Sequence, residues 1–218
     1  MVSVRWTGAA GLEIAHEGAV YLMDPYVSRP GKAAVFFKRL VSRREAVAGF
    51  LKDLPGSLKA VMVGHTHFDH ALDVPVIAEM AAARVVGSRS LDVLLEAFGM
   101  HGRVTVCRGG ERVVLDDQAA VTMLPGRHGR VLLGRIPYPG EIVPPLEPPL
   151  KVREYRHGQV FNMLLELGGM RLLHVGSADV DDAVLQGQGS DVLFLCVSGW
   201  RFAPDLVPRV LSRVQPKT

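Results

Sequence analysis

Short apolar runs broken by glycine open the chain. Residues 2–7, 12–15 and 20–23 each read as a brief strand, with Gly8, Gly11 and Gly18 between them, so a β-meander is expected up to Asp24-Pro25. Over residues 32–54 the spacing changes. Phe36, Phe37, Leu40, Val47, Phe50 and Leu51 recur every three or four positions among Lys and Arg, bracketed by Pro30-Gly31 and Pro55-Gly56. That period predicts one or two amphipathic helices, either packing on the core or forming a lid over a site. Residues 58–63 are a buried strand, and 74–83 a helix with Pro75 in its first turn, where the missing N–H costs nothing. Residues 84–87 are another strand, and 91–98 a helix with Ser90 as N-cap and Gly99 closing it. This β-α-β-α rhythm implies parallel pairing.

Strands return at 104–107, 112–115 and 120–124, the last running into Pro125-Gly126-Arg127-His128-Gly129. Prolines then crowd residues 130–157, which read as a loop insertion rather than a linker because strand patterning resumes at once. Such a loop either walls a pocket, with Tyr138 and Tyr155 as stacking surface, or is a surface excursion. Residues 159–167 and 170–175 form a hairpin closed by Gly168-Gly169, followed by a helical turn at 180–185, a buried strand at 192–197 and a helix at 204–214. The 218 residues suit one domain, 1–218, carrying the 130–157 insertion.

Composition narrows the class. Hydrophobic residues at 48% and charged residues at 22% exclude a disordered or fibrous chain. The net charge of +3 comes from dispersed Lys and Arg, so no nucleic-acid partner is expected. No apolar stretch approaches the length of a transmembrane segment, and no secretory leader pattern precedes the first strand. Cys107 and Cys196 sit in apolar runs as small buried hydrophobes rather than a disulfide framework, which implies a reducing, cytoplasmic setting.

The chemistry is concentrated in Gly64-His65-Thr66-His67-Phe68-Asp69-His70, at the C-terminal end of the 58–63 strand, where open α/β sheets place their ligands. Three imidazoles and a carboxylate in six residues suit zinc and its first-row neighbours. The lack of thiolates argues against a closed structural site. His128, between small residues after another strand, is well placed to be one more ligand. Asp24 is either a hydrogen-bond acceptor that supports the ligands of a nearby cation or a turn former. His16 and His101 read as surface residues, His157 as a residue where the insertion rejoins the sheet, and His174 as a hydrogen-bonded core histidine.

Strands, a His-x-His-x-Asp-His loop, β-α units, a downstream Gly-x-His and a second run of strands together resemble the metallo-β-lactamase fold superfamily over nearly the whole chain. Within it, the early glycine-rich strands with Asp24-Pro25 and the stretch from His67 to Asp73 look most like the group of UlaG-type lactonases and N-acylphosphatidylethanolamine phospholipase-D-like enzymes. The resemblance implies an α/β fold: a four-layer αβ/βα sandwich of two mixed β-sheets with outer helices. It implies His65, His67 and His128 as ligands of a first metal, and Asp69 and His70 as ligands of a second, with Asp69 also orienting the attacking hydroxide. Zinc is the expected cofactor, as one or two ions, with manganese or iron as alternatives. Thr66 stands where flavodiiron oxygen reductases of this fold carry Glu, which disfavours a redox di-iron centre.

The chain departs from the pattern twice. The family places a bridging Asp directly after the glycine at the end of the hairpin strand, yet Ser177 follows Gly176 here and the first carboxylate is Asp179. Either Asp179 reaches back as a metal ligand, or Ser177 or water fills the place, or one metal alone is held firmly; strand alternation favours Asp179. The final histidine of the second site belongs to a strand beyond the 204–214 helix, so the native polypeptide is expected to continue past Thr218. The function implied is a metal-dependent hydrolase that uses a metal-activated hydroxide on an ester, lactone, amide or phosphodiester of a small molecule or lipid head group. The competing reading is a degenerate member with an incomplete site that binds a ligand or partner.

Overall fold

A computed structural model describes residues 1–218. The glycine-broken opening folds as β1 (Val2–Gly8), β2 (Gly11–His16) and β3 (Ala19–Met23). Then come two short helices, α1 (Lys32–Phe37) and α2 (Arg44–Lys52), the two-helix form of the expected amphipathic segment. The β-α rhythm gives β4 (Ser57–Met62), the single turn α3 (Phe68–Ala71), α4 (Val74–Met80), β5 (Arg84–Gly87), α5 (Arg89–Ala97) and β6 (Val104–Val106). β7 (Arg112–Val114), β8 (Ala119–Pro125) and the two-residue β9 (Arg127–His128) precede the insertion. Beyond it lie β10 (Phe161–Leu167), β11 (Met170–Val175), β12 (Ala178–Asp179), α6 (Asp182–Leu185), β13 (Val192–Leu195) and α7 (Leu206–Val214).

Two mixed sheets stack face to face. The first runs β1-β2-β3-β4-β5-β6, antiparallel through the meander and parallel from β3 onward; the second runs β13-β11-β10-β8-β7, with only β11 and β13 parallel. Side-chain alternation on the pleat builds the layers. In β3, Tyr21 and Met23 point between the sheets to meet Met123, Phe161, Met163 and Leu165, whereas Val20 and Leu22 point outward onto α4 and α5. In the second sheet, Leu164, Leu173 and Val175 turn away from that interface to pack against Leu206, Val210 and Val214 of α7. The result is the expected helix–sheet–sheet–helix sandwich.

Two local expectations change. The N-cap of α5 is Ser88, whose hydroxyl accepts from Leu91 N, so the helix starts two residues earlier than the Ser90 cap implied. Ser90 instead accepts from Ile142 N at 2.9 Å and holds the proline-rich insertion. That insertion is not a surface excursion. Ile142, Leu150, Val152 and Tyr155 are buried in the outer helical core, and Leu40 N donates to Leu150 O at 2.7 Å.

Candidate metal centre

Parallel pairing of β3 with β4 brings their C-terminal ends together, so Asp24 and the His-rich loop arise side by side. Gly64 makes this approach feasible: a Cβ there would lie 3.1 Å from Phe161 O and 3.2 Å from Asp24 Oδ2. Asp24 is fully buried, and its Oδ1 accepts from Gly64 N at 2.7 Å. From the other sheet, β8 runs through Gly126 into β9, whose pairing with β12 (Ala178 opposite His128) sets the third imidazole over the loop.

His65, His67 and His128 converge, with ring nitrogens all within 4.8 Å of one another. His65 Nε2 and His67 Nδ1 are 3.1 Å apart. His67 Nε2 donates to Pro137 O at 2.9 Å, and His128 Nδ1 donates to Gly129 O at 2.7 Å. In each ring the nitrogen so engaged carries the proton, which leaves the opposite lone pair for the centre. Burial drives the His65 imidazole far below its ordinary pKa, with the neighbouring histidines adding to it. Burial likewise pushes His67 down to about 2 and His128 to about 4. All three are neutral at pH 7, the state in which imidazole binds a cation.

The donor set fits a tetrahedral first-row ion. Two imidazoles on one ion at a metal–nitrogen distance of about 2.0–2.1 Å hold their nitrogens roughly 3.3 Å apart, close to the His65–His67 spacing. The site also keeps an open side, because a cavity of about 690 Å³ runs from these rings past Asp69, Tyr26 and Ser177. Tyr26 is held protonated chiefly by burial and further by the Asp69 and Asp73 carboxylates, so it faces the cavity as a hydrogen-bond donor.

His70 and Asp69 lie at the edge of this cluster. The rings of His65 and His70 have centroids 3.8 Å apart, and His70 Nε2 is 3.8 Å from Asp69 Oδ2. On its far side His70 Nδ1 lies 3.0 Å from Asp24 Oδ2, close but not aligned as a hydrogen bond, since both atoms lack a hydrogen-bonding partner. Burial alone would lower the pKa of His70, but Asp24 and then Asp69 outweigh it and raise the pKa.

The structure does not bring Asp179 to the centre. Its Oδ1 accepts from Arg209 at 2.6 Å and from Val180 N at 2.8 Å, and it faces α7. The alternation that would have aimed it inward fails because β12 begins only at Ala178, whose φ of +58° turns the chain. Ser177 is buried beside the cavity and its hydroxyl donates to Arg127 O at 2.9 Å. Cys196, expected in the core, is half-buried and lines the cavity.

Three further residues stand closer to the centre than their sequence context implied. His174, expected in the core, is buried with Nε2 on Ala10 O at 2.8 Å, yet its Nδ1 faces Asp24 Oδ2 at 3.8 Å. Gly176 makes room for the pair, since a Cβ there would meet His174 Cε1 at 2.7 Å. His157 stacks on His128 at 5.9 Å between ring centroids, and Thr66 beside it donates its N–H to His157 O. For Asp24 the signal was available: an acid ends one parallel strand beside the strand that delivers the histidines.

No family model matches the chain. A UPF0173 metal-dependent hydrolase of Cereibacter sphaeroides is 29% identical over 139 residues, 61% of this chain and 55% of that protein. The chain thus spans about half the length of that relative. A second UPF0173 metal-dependent hydrolase, from Anaeromyxobacter, is 26% identical over 226 residues, covering 99% of this chain and 72% of its own. Among solved structures, a metallo-β-lactamase from Cronobacter sakazakii superposes with a TM-score of 0.53 at 13% identity, covering 97% of this chain and 85% of its own. CmlA, a diiron β-hydroxylase from Streptomyces venezuelae, superposes with a TM-score of 0.60 at 16% identity, covering 99% of this chain and 43% of its own. The chain has the metallo-β-lactamase fold.

Proposed function

We propose that the chain is a metal-dependent hydrolase of an ester, lactone, amide or phosphodiester in a small molecule or lipid head group. The observation that carries this reading is the convergence of three neutral imidazoles, His65, His67 and His128, at the end of an open cavity. The names of the two sequence relatives agree with it. Zinc suits a set of imidazoles with a carboxylate nearby, as one ion or two, with manganese or iron as alternatives. The Thr66 hydroxyl donates to Arg156 O at 2.5 Å and so ties the loop to the end of the insertion. No helix is long and apolar enough to cross a membrane, and the two free cysteines suit a reducing cytoplasm.

A divalent cation held by the three imidazoles supplies Lewis acidity toward the scissile oxygen and lowers the pKa of water into the neutral range. The residues around it divide the remaining work. Asp69, at the cavity edge, orients the attacking water and takes its proton. His70, between Asp69 and the buried Asp24, fixes the orientation of that carboxylate. Tyr26 offers its O–H to the substrate. Asp24 holds the loop through Gly64 N, which keeps His65 and His67 aimed at one point.

Elemental analysis coupled to a panel of ester, lactone, amide and phosphodiester substrates tests the reading. His67→Ala is expected to lose both bound metal and turnover. Asp69→Asn is expected to lower kcat by about 10²-fold or more, the scale of a lost general base. Hydrolysis that survives both replacements refutes the assignment. The engagement of Asp179 with Arg209 favours a second reading, an incomplete site that serves as a ligand-binding module. A chain purified without chelator that holds no stoichiometric metal supports that one instead.

A further inference from the structure

The cavity that opens from the imidazoles is walled largely by hydrocarbon, and part of that wall belongs to no core. α1 has no buried residue; its Phe36 is 59% exposed and lines the cavity. Facing residues come from the start of the insertion, where Leu132 is 48% exposed and Val131 half-buried. A helix of six residues that leaves its phenylalanines in water is stabilised by little of its own packing, and exposed apolar surface that lines a cavity mouth is suited to a ligand.

Charge adds the second feature. Apart from histidines, the lining carries one cation, Lys32 at the start of α1, and one acid, Asp69 beside the metal ligands. Lys32 enters no ion pair or hydrogen bond. An unpaired ammonium beside apolar walls complements a ligand that carries hydrocarbon and one negative charge.

We infer that the substrate class is an anionic amphiphile: an acyl or alkyl chain lies along Phe36, Val131 and Leu132, an anionic group meets Lys32, and the hydrolysable bond between them reaches the imidazole cluster. The inference rests on the hydrolase reading and specifies it. For an ester, water adds to the acyl carbon and the alkoxide leaves, giving a carboxylic acid and an alcohol that take up the elements of one water.

O-acylglycolates with acyl chains of increasing length, and the neutral O-acylglycolamides of the same chains, test it on the zinc-loaded protein. Burial of each methylene is expected to raise kcat/KM by about threefold to fourfold until the wall is covered. The glycolates are expected to exceed the glycolamides by roughly tenfold, as a direct charge contact would give. Lys32→Glu should erase the charge preference and keep the chain-length slope; Phe36→Ser and Leu132→Ser should flatten the slope with metal content unchanged. Decanoate binding by calorimetry gives a readout independent of turnover.

Efficient hydrolysis with no dependence on chain length or charge overturns the substrate class and leaves the hydrolase intact. Decanoate bound through Phe36 and Lys32, with no ester turned over by the metal-loaded protein, overturns the hydrolase and leaves the amphiphile pocket. Loss of both overturns both.

Discussion

Charge at the candidate site is set residue by residue, and pH reports it. Burial lowers the pKa of His65, His67, His128 and His174, with His128 near 4. In the unfolded chain each titrates near the ordinary imidazole value of about 6.5. Between about pH 6.5 and 4 the unfolded chain therefore binds more protons than the native one, and stability falls as pH falls. His70 works the other way: its raised pKa contributes stability that is present below about 6.5 and lost as pH rises through the native value. Four lowered groups outnumber one raised group. The metal-free protein is accordingly expected to show a urea midpoint that declines from pH 7 to pH 4, with a shallower decline in His128→Asn; a pH-independent midpoint would contradict the burial. Asp179 gives a second residue-level prediction. Its carboxylate and Arg209 are each about a third exposed, so Asp179→Asn should cost less than about 1 kcal/mol and leave metal content unchanged. A drop in bound metal would return Asp179 to the ligand set.

Between the residues and the fold stand short elements whose positions depend on buried polar anchors. Asp73, fully buried at the N-terminus of α4, accepts from Val27 N at 2.7 Å, Ser28 N at 2.8 Å and Ser42 Oγ at 2.6 Å. It thereby clamps the segments on both sides of α1, which has no fully buried residue and touches the core only through Val35. Asp73→Ala leaves several buried donors without partners and is expected to lower unfolding free energy by about 3 kcal/mol, read by chemical denaturation. Such anchors separate what was legible in the sequence from what was not. The strands around Tyr21, Val61 and Leu165 were legible because alternation and glycine breaks are local signals. So was the His65–His70 loop, for its density of ligands. The α5 cap was misplaced because Ser88 and Ser90 look alike until the insertion claims Ser90. β9 and β12, two residues each, carry no period, so the geometry that seats His128 and turns Asp179 away had no local trace. The environment of His174 was hidden because its partner, Asp24, is 150 positions away in the chain.

At the scale of the molecule, the candidate metal ligands come from both sheets. His65 and His67 follow β4 in the six-stranded sheet, and His128 follows β8 in the five-stranded one. Between the sheets the contact is mainly apolar, through Met62, Met123, Phe161, Met163 and their neighbours, a packing with no directional preference, and a few directed bonds cross it, among them His174 Nε2 to Ala10 O and Tyr21 Oη to Asp116. A cation on the three imidazoles would therefore add a strong directed link between the two halves of the sandwich at one end of an interface held mainly by non-directional packing. Binding to the native state alone stabilises by RT ln(1 + [L]/Kd), about 2.7 kcal/mol at a free-ion concentration 100 times Kd. Thermal unfolding of the zinc-loaded protein should therefore shift upward relative to chelator-treated protein, and His128→Asn should abolish the shift while His101→Asn retains it. Hydrogen exchange locates the effect: zinc is expected to slow exchange at the β9–β12 pair and in the loop after β4, and to leave the β1–β2 edge unchanged. Uniform slowing across both sheets would mean that the ion acts through global stability alone, and no slowing at β9–β12 would remove His128 from the site.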